Sequence, residues 1–296
     1  MRSSNPVFSR RGFSRDNGMA GFNAQPQAGG AAVATNPYAQ GTGNPYATNP
    51  YAPTDPQVAG GGPQAPAGAG VMTIDDVVSR TAMTLGTVVL TAVLAWVTLP
   101  VDEGALGKSY GIAIGAALVA FVLAMVQSFK AKPVPALILA YAAFEGVFLG
   151  VISSAVSTYI SPGVVAQAVL GTMAVFAGVL IAYKMRWIRV TRRFYGFVMA
   201  AAIGFMLLMA VNLLFAVFGG GDGLGFRSGG LGILFGVLGI VLGACFLALD
   251  FKQVEDGITY GAPQREAWFA AFGLTMTLVW IYLEMLRVLS IIQGND

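Results

Sequence analysis

The chain has 296 residues, 56% apolar and only 10% charged, where a soluble domain carries about 25% charged residues. That deficit excludes an ordinary soluble enzyme. The absence of histidine excludes Ser-His and Cys-His nucleophile pairs, HExxH zinc sites and histidine-ligated haem. The single cysteine, Cys245, allows no intrachain disulfide, and the net charge of +3 matters less than where its cations lie.

Residues 1–70 are rich in Gly, Pro, Ala, Asn and Gln and carry no apolar stripe. Such a segment cannot bury enough surface to offset its chain entropy, so a disordered cytoplasmic tail is expected over 1–72. No apolar run follows Arg2, Arg10, Arg11 and Arg15, which reads as a tail and not as a signal peptide. Asn-Pro-Tyr-Ala occurs at 36–39, 44–47 and 49–52. It reads either as low-complexity drift or as a multivalent docking tail for membrane-protein partners. Order is expected to begin near Thr73, where Thr73 and Asp76 have the spacing of a capping box. The second domain is then 73–296.

Seven segments are long and apolar enough to cross a bilayer: 81–100, 109–128, 134–156, 163–183, 195–218, 229–250 and 268–292. A closed barrel would show alternating segments of about ten residues instead. The fold class is therefore all-α, a polytopic seven-helix transmembrane bundle. Fourteen Lys and Arg precede span one or lie in loops two, four and six, against Lys108 and Arg227 in the alternate loops. The positive-inside rule thus places the N-terminus in the cytoplasm and the C-terminus outside. Pairs with GxxxG spacing (Gly111/Gly115, Gly146/Gly150, Gly232/Gly236 and Gly239/Gly243) mark expected helix contacts, and two pairs in span six predict a central place for it.

Ionisable groups inside spans are expensive and carry functional hypotheses. They are Glu145 in span three, Asp250 at the inner end of span six, and Glu284 with Arg287 in span seven. Each has a plain reading: a backbone-bonded Glu145, a solvated Asp250 near Lys252, Glu255 and Asp256, and an internal Glu284–Arg287 pair at i, i+3. The sharper reading joins them. Carboxylates brought together cannot both ionise easily, so a pair holds a proton. Once deprotonated, it is an oxygen-rich site for Ca²⁺.

Other chemistries fall away. Gly219-Gly220-Gly221-Asp222 spells the GxGD of intramembrane aspartyl proteases, but no Tyr-Asp partner precedes it. Span seven has no lysine for retinal, and there is no P-loop. The basic loop 184–193 reads as a topology signal or as a site for acidic lipid headgroups. No enzyme, resident cofactor or nucleic-acid partner is expected.

The last two spans resemble the transmembrane Bax inhibitor motif (Bax inhibitor-1) family in its bacterial, actinobacterial branch. The residues that carry the resemblance are Ala248-Leu249-Asp250-Phe251-Lys252-Gln253 and Ile281-Tyr282-Leu283-Glu284-Met285-Leu286-Arg287-Val288-Leu289. Phe144-Glu145-Gly146-Val147-Phe148-Leu149-Gly150 and the opening Met1-Arg2-Ser3-Ser4-Asn5-Pro6-Val7-Phe8 are similar too. The resemblance implies a pH-regulated Ca²⁺ leak in the bacterial cytoplasmic membrane. In it, two aspartates on spans six and seven share a proton and an arginine latches them. Carried across, the aspartates fall on Asp250 and Glu284, with Glu in place of Asp, and Arg287 is the only intramembrane arginine. The partners are then membrane lipids, Ca²⁺ and protons. A proton-coupled cation transporter and a non-transporting regulator of other membrane proteins are the alternatives. Glu284 lies 16 residues past Trp268, roughly 24 Å at helical rise. Contact with Asp250 therefore requires span seven to begin well inside the cytoplasm, or span six to unwind early.

Overall fold

The computed structural model describes residues 70–102, 104–219, 226 and 228–294. The Asn-Pro-Tyr-Ala repeats, Arg227 and the Gly220-Gly221-Asp222 part of the protease-like motif lie outside the described residues. Among the described residues the chain forms seven long α-helices: α1 Ile74–Thr98, α2 Leu106–Phe129, α3 Pro135–Tyr159, α4 Val164–Lys184, α5 Arg192–Gly219, α6 Gly229–Thr259 and α7 Ala267–Gln293. All seven are long and apolar enough to span a membrane.

Local chemistry sets the helix starts. Thr73 caps α1 as expected: its side chain accepts from the Asp76 N–H at 3.2 Å, and Asp76 Oδ2 accepts from the Thr73 N–H at 3.1 Å. Two otherwise orphaned donors are satisfied reciprocally. Thr73→Ala should cost about 1 kcal/mol, read as a lower thermal midpoint in detergent. Pro135 occupies the first turn of α3, where its missing N–H has no partner to lose. The α2–α3 turn is closed by Gln127 Oε1, which accepts from the Val134 N–H at 3.1 Å. Helix α6 is the main departure from the expected spans. It runs nine residues past Asp250, to Thr259, before a turn in which Gly261 takes a left-handed φ of 66°.

The centre of the bundle is α7, not α6. It is the most buried span and packs on α1, α3, α4 and α6, whereas α5 is the least buried and rests on α6. The double GxxxG of α6 explains why that helix is a partner and not the core. Its glycines line one seam against α7: a Cβ on Gly243 would lie 2.6 Å from Ile281 Cγ1, and one on Gly239 would lie 3.0 Å from Glu284 Cδ. In contrast, α7 carries small or hydroxyl residues on several faces. Three neighbours are tied to it by hydrogen bonds: Thr84 of α1 with Thr275, Ser153 of α3 with Tyr282, and Asp250 of α6 with Thr277, each at 2.7 Å. Gly146 and Gly150 do what their spacing predicts, letting α3 approach the α1 backbone at Val88 and Ala92. Gly111 and Gly115 do not, since among the described residues nothing outside their own helix lies within 4 Å of a Cβ on either.

Candidate functional site

The antiparallel α6–α7 pair positions the charged residues. Its register is read from side chains that meet: Gly236 against Val288, Gly239 against Glu284, Gly243 against Ile281, and Asp250 against Gly273 and Thr277. Asp250 is thus partly buried within a continuous helix and faces α7, not at a solvated helix end. Its Oδ2 accepts a hydrogen bond from the Thr277 hydroxyl at 2.7 Å. Its Oδ1 lies 3.3 Å from where a Cβ on Gly273 would stand, so the missing side chain there gives the carboxylate its room. Lys252 is engaged elsewhere, with Asp256 at 2.7 Å and Glu255 at 3.6 Å.

Asp250 and Glu284 are not brought together. Glu284 sits against Gly239, eleven residues from Asp250 along α6, which is about 16 Å of helical rise. Helix α6 does not unwind early: it stays helical through Asp250 to Thr259, and α7 begins at Ala267. A single proton cannot be shared across that distance. The α7 side chain opposite Asp250 is Thr277, a residue that the sequence reading missed. A hairpin turning about residue 263 pairs position 250 with 276, so the loop centre was the signal that could have found it.

Glu284 instead pairs with Arg287 one turn away, and both are largely enclosed. The plain reading of these two as an internal ion pair is the one the geometry realises. Gly236 and Gly239 make the space: Cβ atoms there would crowd Arg287 Nη2 at 3.3 Å and Glu284 Oε2 at 3.2 Å. Glu145 of α3 and Glu284 do share surroundings. Both line a cavity of about 330 Å³ with Tyr141, Met276 and Trp280. No group of three or more Asp, Glu or Cys side chains placed to hold a metal occurs among the described residues.

Seven helices able to span a membrane, with carboxylates at two depths of the α6–α7 seam, define a multi-pass membrane protein. Comparison with known families matches residues 5–294, almost the whole chain, to the family described as Bax inhibitor 1 like. The chain belongs to that family. Comparison with curated proteins gives no significant match.

Proposed function

We propose that the chain is a pH-sensitive calcium leak of the bacterial cytoplasmic membrane, with Asp250 and the Glu145–Glu284 cavity as successive carboxylate stations. The observation that carries this reading is Asp250. It lies inside a spanning helix with a threonine hydroxyl as donor and, among the described residues, no ion-pair partner. An ionisable group retained at such a place marks an ion or proton path. The carboxylate and the Thr277 hydroxyl are hard oxygen ligands of the kind Ca²⁺ takes. Protonation removes the charge the cation needs, so one carboxylate suffices to link pH to flux. Glu284, neutralised by Arg287, supplies oxygen atoms further along the seam without a second full charge.

Liposomes holding the purified protein should pass Ca²⁺ passively, and faster as pH rises and the carboxylate loses its proton. Asp250→Asn should lose most of that flow and flatten its pH profile, because the amide stays neutral throughout. Glu284→Gln should have the smaller effect. Obligatory proton countermovement would convert the reading to an exchanger. No flow in the parent protein would leave a non-transporting regulator and overturn the leak.

A further inference from the structure

The segment that enters α1 does more than cap it. Gly70–Thr73 crosses the α6–α7 connection as a short antiparallel bridge, with Val71 opposite Pro263. The Met72 N–H donates to the Ala262 carbonyl at 2.8 Å, and the Gln264 N–H donates to the Gly70 carbonyl at 2.7 Å. Side chains of α1 hold the same connection. Gln264 Nε2 donates to Asp76 Oδ1 at 2.7 Å, and Arg80 donates to the Gln264 carbonyl while stacking 5.5 Å over the Trp268 ring. Four ties thus converge on one turn, far more than helix entry requires.

Met72 is the centre of this contact. It is only 3% exposed and packs with Val254, Ala267 and Ala270 at the ends of α6 and α7. Its socket exists because residue 257 is glycine: a Cβ there would stand 2.6 Å from Met72 Cε. Met72 also walls a cavity of about 530 Å³, lined by Lys252, Asp256 and Glu266 together with Leu249 and Phe269. Leu249 is the residue before Asp250, so the cavity reaches the level of the lower carboxylate.

We propose that Gly70–Thr73 is a strap, with Met72 as its plug, that closes the cytoplasmic mouth of the cation path. The cavity between the ends of α6 and α7 is that mouth. This proposal rests on the leak reading for its purpose but not for its geometry. With Met72 seated, the α6–α7 connection is pinned to the start of α1 and the cavity is walled on that side. With Met72 withdrawn, its wall is lost and the two helix ends are free to part.

The test combines accessibility with flux in a Cys245→Ala background. A thiol at Ala270→Cys, a cavity-lining position only 8% exposed, reports entry of a water-soluble maleimide. Met72→Ala should raise its labelling rate several-fold, and Met72→Leu, which refills the socket, should restore the slow rate. Separately, Val71→Cys with Pro263→Cys places thiols at a non-hydrogen-bonded antiparallel pair, where Cα atoms lie about 4.5 Å apart and a disulfide can form. Oxidation of that pair should slow Ca²⁺ flow, and reduction should restore it. Labelling that ignores Met72→Ala overturns the strap. So does flux that ignores the redox state of the cysteine pair while the parent passes Ca²⁺. Labelling that changes while no variant passes Ca²⁺ upholds the strap and removes the leak reading instead.

Discussion

Arg287→Met should be less stable than the parent by about 3–5 kcal/mol, the usual cost of stranding one member of an enclosed ion pair. Glu284 is 9% exposed and its carboxylate pairs with the Arg287 guanidinium, so the variant leaves a carboxylate in an apolar seam without its cation. The double variant Glu284→Gln, Arg287→Met should recover most of the loss, because it removes both charges and keeps side-chain volume. Unfolding in mixed micelles, followed by circular dichroism, measures all three proteins on one scale. A single variant as stable as the parent would show that Arg287 does not hold the Glu284 charge. The same series separates structure from transport. A double variant that is stable yet still passes Ca²⁺ assigns the pair to packing and leaves Asp250 as the station that matters.

Gly150→Leu should be among the most damaging apolar substitutions in the bundle. Overpacked sites typically cost about 1–3 kcal/mol when side chains can yield, but here the neighbour is the Ala92 backbone, whose Cα would lie 2.9 Å from the new Cβ. Helix α1 must move away from α3 as a whole. A loss at or above the upper end of that range is expected, with α1 becoming accessible to protease from the side of Thr73. Gly111→Leu is the matched control, since nothing stands within 4 Å of a Cβ there. Removing a helical glycine should be neutral or slightly favourable at that position. Equal losses at the two sites would sink the close-approach account of Gly150.

The spans were legible because bilayer thickness imposes a length on each apolar run, and turns carrying Pro100, Pro133 and Pro162 punctuate them. The capping box at Thr73 was legible because its chemistry is entirely local. Contacts between helices were harder to see. Gly146/Gly150 and Gly111/Gly115 have the same spacing, yet among the described residues one pair packs on α1 and the other meets no neighbour. Spacing records that a backbone can approach; it does not name a partner. The carboxylate site failed for a related reason. Asp250 and Glu284 were joined by charge type, whereas the α6–α7 register is fixed by where the hairpin turns, and it delivers Thr277 to Asp250. The strap was invisible, because Gly70–Met72 carries no motif and its two backbone ties both reach across the chain to the α6–α7 connection.

That α7 occupies the middle has a consequence for biogenesis. Membrane helices emerge from the ribosome in order, so six of them enter the lipid before the one that joins them has been made. Until then the hydroxyls of Thr84 and Ser153 lack their α7 partners, and Asp250 lacks Thr277. The nascent protein therefore passes through a stage with an open, polar-lined gap, the stage at which a membrane chaperone or a protease would find it.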